Sequence, residues 1–126
     1  MKLTQRSIDR LKGVHGKLVS VVMRASELSD LEFTVTCGLR TFAEQKALLA
    51  KGATRTLNSK HLTGHAVDVA PVIDGQVRWD WPLFHILAKT FKMAAKELGV
   101  EIAWGGDWKG FPDGPHFEIN PRKYPL

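Results

Sequence analysis

A tight-turn signal at the centre of the chain dictates an antiparallel hairpin. Asp74-Gly75 lies between two strand-like segments, residues 66–72 and residues 76–79. An Asp-Gly pair in this position is among the strongest short-range indications of a two-residue turn between antiparallel strands. The sequence therefore predicts a mostly antiparallel sheet that contains this hairpin.

Three further segments are typical of strands. Residues 31–37 alternate between apolar and polar side chains, which indicates a half-buried strand. Residues 100–104 and 116–119 are short strand-like pieces, and a loop rich in Gly and Trp joins them. Together with residues 66–72, these segments predict a sheet of about four strands.

Three helices are predicted outside this sheet. Residues 7–26 carry apolar side chains at a spacing of three to four. Thr41 and Glu44 form a capping box, which opens a helix that ends near residue 51. Asp80 is placed to cap a third helix that runs through residue 98. Helices packed on an antiparallel sheet define an α+β fold.

Composition is that of one globular domain. The chain has 126 residues, of which 44% are hydrophobic and 25% are charged, and this length corresponds to a single domain. It has no apolar run near the ~20 residues of a membrane span and no apolar stretch after its basic start, so we expect no signal peptide. Its single cysteine, Cys37, excludes an internal disulfide and a cysteine-based zinc cage.

The excess of basic residues favours an anionic partner. There are 18 Lys and Arg against 13 Asp and Glu, a formal charge of +5. Such a charge suits nucleic acid, anionic headgroups or an acidic cell-wall polymer. Because the basic residues are scattered, we predict no nucleic-acid site. Nucleic-acid binding, the alternative, predicts an affinity for duplex that falls steeply with salt.

Chemistry is concentrated in two segments, residues 59–69 and 113–119. Strand alternation places Asp68 and His116 on the same polar face of neighbouring strands, and His61 lies just upstream of the first. Two imidazoles and one carboxylate are a typical catalytic zinc set, which leaves the fourth tetrahedral position open for water. The spacing therefore predicts a zinc site on the polar face of the sheet.

Six more residues are candidates for roles around this site. Asp113, across a Gly-Pro turn from His116, is placed to take and return a proton, although turn chemistry alone also explains it. Ser59 and Glu118 are candidates to hydrogen-bond within the site, Glu118 being as well explained as a solvated strand acid. We expect His65 to be a cleft wall or exposed rather than a ligand. Two tryptophans either line a groove or complete the core, namely Trp104 and Trp108.

These residues resemble a known family. His61-x-x-Gly-x-Ala-x-Asp68, followed by Asp113 and then Pro-His116-Phe, resembles the zinc peptidases of peptidoglycan, which are D-alanyl-D-alanine peptidases and L-alanyl-D-glutamate endopeptidases. The run Trp-Gly-Gly-Asp-Trp at residues 104–108 is similar to that of phage endolysins of the L-alanyl-D-glutamate type. The resemblance spans residues 36–119.

The resemblance implies both a mechanism and a biological role. It implies one Zn²⁺ on His61, Asp68 and His116, with Asp113 as general base and acid. Arg40 matches the family arginine that binds substrate near the metal, and its guanidinium suits a developing oxyanion. The implied role is that of a phage endolysin. It would await lysis in the host cytoplasm and then cleave peptidoglycan, aided by attraction of its basic surface to the anionic envelope.

The expected architecture is a monomeric catalytic domain over residues 1–126, without a separate wall-binding domain. Two departures from the family pattern concern Cys37, where a hydroxyl residue is expected, and Asp113, where related dipeptidases carry Glu. Two alternative functions stay open. The protein could be a D-alanyl-D-alanine carboxypeptidase or dipeptidase, or a non-catalytic zinc-containing binding module. The acidic loop at residues 107–113 lacks the ligands of an EF-hand, which leaves only a weak regulatory Ca²⁺ site open.

Overall fold

A five-stranded antiparallel sheet forms the centre of the computed structural model, which describes residues 1–126. Its strands are β1 (Phe33–Cys37), β2 (Ala66–Ile73), β3 (Gln76–Val77), β4 (Ala103–Trp104) and β5 (His116–Glu118). The main order is β1-β2-β5-β4, and β3 pairs with the far end of β2 through the predicted hairpin. β2 is therefore the central strand, with β1 on one side and β5 on the other.

Four α-helices and two 3₁₀ helices surround the sheet. They are α1 (Gln5–Arg10), α2 (Gly16–Leu28), α3 (Phe42–Ala50), α4 (Trp81–Leu98) and the 3₁₀ helices Lys60–Thr63 and Gly105–Asp107. α2 packs against α4, and α4 packs against β2. None of these helices combines the length and apolar character needed to cross a membrane. The α+β prediction is confirmed, with one more strand and one more helix than expected.

The core fixes which side chains of the sheet face outward. Val67 and Val69 of β2 are fully buried, as is Phe117 of β5. Phe117 stacks on Phe91 of α4, with ring centroids 4.3 Å apart. Since side chains alternate along a strand, burial of both valines sends Asp68 to the opposite face of the sheet. Packing of the core thus presents the candidate ligands on the other side.

The prediction of one helix over residues 7–26 is wrong. α1 ends at Arg10, and α2 begins only at Gly16. Between them Gly13 adopts φ +82°, a left-handed conformation that no helix continues. His15 caps α2, because its Nδ1 accepts a hydrogen bond from the backbone N–H of Lys17 at 3.1 Å. The apolar periodicity persists across the break because Leu11 and Val14 of the connection belong to the same core as the buried residues of α2.

The third helix begins and ends where predicted, but its capping differs. Asp80 occupies the N-cap position without making a side-chain capping bond. Its carboxylate instead accepts two hydrogen bonds from Arg78, at 3.2 and 2.8 Å. α4 ends at Gly99, which adopts φ +70°. The predicted strand at residues 100–104 is reduced to Ala103–Trp104.

Gly64 is held by two independent constraints, and its replacement tests how tightly the site is built. It adopts φ +75°, and a Cβ atom would overlap the carbonyl oxygen of Gly13. We expect Gly64→Ala to lose about 1–2 kcal/mol for the left-handed backbone and about 1–3 kcal/mol more for the overlap. Gly52→Ala is the matched control, since Gly52 has φ +74° and open space around it. Urea unfolding followed by circular dichroism measures both. Equal losses would contradict the overlap.

Candidate active site

A row of three side chains crosses the polar face of the sheet. Asp68 of β2 is directly opposite His116 of β5 in the antiparallel register. On its other side Asp68 is paired with Cys37 of β1, at a register irregularity between Val35 and Cys37. Asp68 Oδ1 lies 3.3 Å from His116 Nδ1. The register itself therefore brings the predicted carboxylate and the second predicted imidazole together.

His61 reaches the same carboxylate from a 3₁₀ helix outside the sheet. The Ser59 hydroxyl accepts a hydrogen bond from the backbone N–H of His61 at 3.1 Å and so caps this helix. Gly64 ends it, and the chain then enters β2. His61 Nε2 lies 3.2 Å from Oδ1 of Asp68, the oxygen that also contacts His116. Both predicted imidazoles thus contact the same oxygen of Asp68, and Asp68 is the residue shared by two clusters of ligand atoms, one with His61 and the other with His116.

Hydrogen bonds behind the two imidazoles fix which nitrogen faces the site. His61 Nδ1–H donates to the carbonyl oxygen of Gly38 at 2.8 Å. His116 Nε2–H donates to Glu118 Oε1 at 2.8 Å, and the other oxygen of Glu118 accepts from Lys60 Nζ at 2.7 Å. The nitrogens left to act as ligands are therefore Nε2 of His61 and Nδ1 of His116. This is the arrangement that usually supports metal-bound histidine.

Charge is strongly coupled within this cluster. Burial alone would lower the pKa of His61, but hydrogen bonds to Asp68 and Cys37 outweigh it and raise that pKa to about 10. Burial would raise the pKa of Asp68, yet its hydrogen bonds with His116 and His61 hold that pKa far below the usual range. The pKa of His116 is raised in the same way, against its burial, by Asp68 and Glu118. The cluster therefore stabilises positive charge beside an ionised carboxylate, which suits a divalent cation.

Asp113 joins the cluster from the segment before β5. One side-chain ligand atom each from Asp68, Asp113 and His116 lie within 4.8 Å of one another. The backbone N–H of Asp113 donates to Gly105 O at 2.8 Å, and a Cβ atom on Gly105 would overlap the carbonyl oxygen of Asp113. Burial and the nearby charge of Asp68 raise the pKa of Asp113. The main chain of Asp113 is thus fixed beside the candidate ligands, and its carboxylate binds a proton more readily than a free aspartate does.

Arg40 borders the cluster on the side of β1. Its guanidinium has one nitrogen 3.6 Å from Asp68 Oδ2 and another that donates to Gln45 Oε1 at 2.6 Å. The backbone N–H of Arg40 donates to His61 O at 3.0 Å. The predicted capping box of α3 is present directly after it. Arg40 is therefore held at the cluster through both its backbone and its side chain.

The cluster opens into a cleft of about 670 Å³, a volume typical of ligand sites. Trp108 lines it beside His116, with ring centroids 4.9 Å apart, and is 39% exposed. Four cationic side chains line the cleft, namely Arg40, Arg55, Lys60 and Lys109. Arg55 lies over the ring of Phe111 at 4.5 Å, which joins the loops on the two sides. Three carboxylates line the same cleft, those of Asp68, Asp113 and Glu118, so its cationic side chains outnumber its anionic ones by one.

Comparison with known proteins identifies the family. The family model for the phage L-alanyl-D-glutamate peptidase matches residues 1–122. The chain belongs to this family. The L-alanyl-D-glutamate peptidase of Escherichia phage T5 is 36% identical, over 94% of this chain and 97% of that protein. Peptidoglycan L-alanyl-D-glutamate endopeptidase CwlK of Bacillus subtilis is 34% identical, over 78% of this chain and 66% of its own length.

A solved structure agrees with this assignment to the phage peptidase family. The crystal structure of the L-Ala D-Glu endopeptidase ChiX from Serratia marcescens superposes with a TM-score of 0.92 at 43% identity. The match covers 100% of this chain and 95% of ChiX. The predicted resemblance is therefore confirmed over the whole fold, beyond the motifs that carried it.

The structure places His65 and Trp104 of this family member away from the cleft. His65 is 2% exposed, is hydrogen-bonded to Thr63 Oγ1 at 2.7 Å, and donates to Tyr124 O at 2.7 Å. The expectation of a cleft wall or exposed side chain at His65 is wrong, because the ring holds the C-terminal segment. Trp104 is 3% exposed and donates to Gly114 O at 2.7 Å. Of the two tryptophans, Trp104 therefore completes the core and Trp108 lines the cleft.

Sequence reasoning gave no role in the peptidase site to three residues that contact it, namely Cys37, Lys60 and Gln45. Cys37 Sγ lies 3.8 Å from His61 Nδ1 and, with His61 and Asp68, forms a second cluster of ligand types. Its contact is with the ring nitrogen already bonded to Gly38, which makes it a weaker candidate ligand than His116. Lys60 could have been proposed as a site residue from the sequence, because it directly precedes the predicted ligand His61. Gln45 contacts Arg40 and Thr56 through its side chain, and no sequence motif pairs these residues.

Proposed function

We propose that this protein is a zinc-dependent endopeptidase that hydrolyses the L-alanyl-D-glutamate bond in the stem peptides of bacterial peptidoglycan. The observation that carries the proposal is the contact of His61 and His116 with one oxygen of Asp68, which clusters with Asp113 and His116, in a chain that belongs to the phage L-alanyl-D-glutamate peptidase family. Neither the family name nor the fold alone assigns roles to individual residues. The donor chemistry of the cluster supports the assignment.

Zinc would be held by Nε2 of His61, a carboxylate oxygen of Asp68 and Nδ1 of His116. Two neutral imidazoles and one carboxylate are a donor set that zinc accepts at catalytic sites. When bound, zinc supplies Lewis-acid polarisation of the scissile carbonyl and lowers the pKa of a water molecule to about 7. Gly38 O and Glu118 hold the imidazoles in the required tautomers.

Asp113 carries the proton between water and the leaving amine. Its carboxylate accepts a proton from the attacking water as the new C–O bond forms on the L-alanyl carbonyl carbon. It then donates that proton to the nitrogen of D-glutamate as the C–N bond breaks. Burial raises the pKa of Asp113, and a raised pKa improves both the acceptance and the return of a proton near neutral pH.

Arg40 stabilises the negative charge that develops on the carbonyl oxygen. Its guanidinium borders the cleft, donates a hydrogen bond to Gln45 and lies near Asp68. Fixed donors aimed at a developing oxyanion commonly contribute a large part of catalysis. The other cations of the cleft, Arg55 and Lys109 among them, complement the free carboxylates of the stem peptide.

The biological role that follows is host lysis by a phage. The protein would remain in the host cytoplasm until lysis and would then act on the wall. The phage origin of the T5 relative and its name, L-alanyl-D-glutamate peptidase, support this role. Attraction of the basic chain to the anionic envelope would aid the encounter.

Product analysis tests the proposed bond directly. Digestion of purified peptidoglycan is expected to release stem peptides that begin at D-glutamate, detected by mass spectrometry. A chelator should stop the release and added Zn²⁺ should restore it, because the ligands belong to the protein and the ion exchanges. Release of free D-alanine, without peptides that begin at D-glutamate, would assign the bond to the D-alanyl-D-alanine alternative. Absence of any cleavage would favour a binding module.

A further inference from the structure

α3 buries a single side chain completely, and that side chain is polar. Gln45 is 0% exposed, whereas Phe42 of the same helix is 57% exposed. A surface helix normally buries an apolar stripe, and a buried amide is costly unless its hydrogen bonds are made. The position of Gln45 therefore calls for an explanation other than core packing.

Both ends of the Gln45 amide are used. Its Oε1 accepts from the Arg40 guanidinium at 2.6 Å. Its Nε2 donates to the carbonyl oxygen of Thr56 at 2.7 Å and lies 3.4 Å from the hydroxyl of Thr54. Arg40 and residues 54–56 all line the cleft. Gln45 thus joins the arginine to one rim of the cleft from behind, without lining the cleft.

The bond to Gln45 also determines how Arg40 relates to Asp68. The nearest guanidinium nitrogen is 3.6 Å from Asp68 Oδ2, which is longer than a charge-assisted hydrogen bond. An unrestrained guanidinium beside an ionised carboxylate would close that gap and form a bidentate pair. Such a pair would occupy both oxygens of Asp68 and turn the guanidinium away from the substrate. Gln45 Oε1 holds one terminal nitrogen of the guanidinium, and Cys37 Sγ accepts from the other, the one nearer Asp68, at 3.4 Å. The short bond to Gln45 is the stronger of these two restraints against that closure.

We infer that Gln45 is a positioning residue of the peptidase. Through Oε1 it keeps the guanidinium of Arg40 directed at the cleft and off Asp68, and through Nε2 it sets the rim at residues 54–56. This inference rests on the proposed function, in which Arg40 stabilises the oxyanion. The two contacts have separate kinetic consequences. Loss of the contact with Arg40 should lower kcat, and loss of the contact with the rim should raise KM.

Two substitutions separate these contacts. Gln45→Leu removes both, and we expect kcat to fall about 10–100-fold, since displacement of a catalytic group by about 1 Å can cost 10²-fold. Gln45→Glu keeps an acceptor for Arg40 but loses the donor to Thr56. We therefore expect it to raise KM and to leave kcat within about threefold of the parent value. Gln76→Leu in the exposed hairpin is the matched control, with no expected effect.

A double-mutant cycle with Arg40→Ala distinguishes positioning from general stabilisation. If Gln45 acts through Arg40, Gln45→Leu in the Arg40→Ala background should change kcat by less than about twofold, because coupled residues are non-additive. Additive losses would overturn the inference, as would an unchanged kcat in Gln45→Leu. Should Gln45→Leu not fold, a fall of kcat in Gln45→Glu to the Arg40→Ala level would overturn it. Zinc content and circular dichroism verify each variant.

Failure of this inference differs visibly from failure of the proposed function. An inactive parent enzyme on peptidoglycan would refute the proposed function itself. An active parent whose Gln45 variants behave like Gln76→Leu would refute only the role of Gln45.

Discussion

Asp113→Asn is expected to lower kcat on peptidoglycan by about 10²–10⁴-fold, the range usually lost with a general acid–base. Asparagine has nearly the same shape but neither accepts nor returns a proton at neutral pH. Because Asp113 is held through its backbone by Gly105, the fold and the retained zinc should change little. Initial rates of stem-peptide release, together with metal content and thermal unfolding, measure these quantities.

The informative control for Asp113 is Asp107→Asn. Asp107 belongs to the same loop but pairs with Lys92 on the surface, with side chains that are 59% and 49% exposed. We expect that variant to keep parent activity, since exposed ion pairs contribute little. Parent-like activity in Asp113→Asn would remove Asp113 from the mechanism and leave it as a turn residue.

Asp68→Ala is expected to abolish both stoichiometric zinc binding and activity. Asp68 is the residue that both imidazoles contact, at 3.2 and 3.3 Å. Its loss removes one ligand of three and also the negative charge that favours a cation. Loss of a hydrogen-bond partner behind a ligand typically lowers metal affinity 10–100-fold, and we expect a larger loss of affinity in Asp68→Ala. Elemental analysis after equilibrium dialysis measures the zinc that remains bound.

Two milder variants calibrate that result. Glu118→Gln keeps a hydrogen-bond acceptor behind His116 but removes its charge, and zinc affinity should fall only about 10–100-fold. Cys37→Ser should retain zinc, because the thiol contacts the nitrogen of His61 that already donates to Gly38. Loss of zinc in Cys37→Ser with retention in a His116→Ala variant would instead identify Cys37 as the third ligand.

Local signals predicted much of this fold correctly. The Asp74-Gly75 turn, the capping box at Thr41 and the end of α4 at Gly99 are all present. Each depends on residues a few positions apart, which a single sequence displays directly. The alternation in β2 likewise placed Asp68 opposite the core, and the register with β5 brought His116 to it.

Features that depend on contacts between distant segments were not predictable in this way. The break between α1 and α2 is stabilised where the N–H of His15 donates to Gly64 O, 49 residues later in the sequence. His65 is buried because it meets Tyr124, and no local pattern pairs these residues. The Gly38 carbonyl that orients His61 is a backbone group, which residue types do not reveal.

The two imidazoles face the cluster with different ring nitrogens, which lie at different distances from their own main chains. His116 offers Nδ1, the ring nitrogen nearer its own main chain, from a strand that is paired on both sides. His61 offers the distal Nε2 from a single 3₁₀ turn. If one divalent ion replaced another of different radius, the side chain of His61 would therefore shift more than that of His116. Asp113 lies three residues before His116, so the distance between the cation and the Asp113 carboxylate would be preserved through such an exchange.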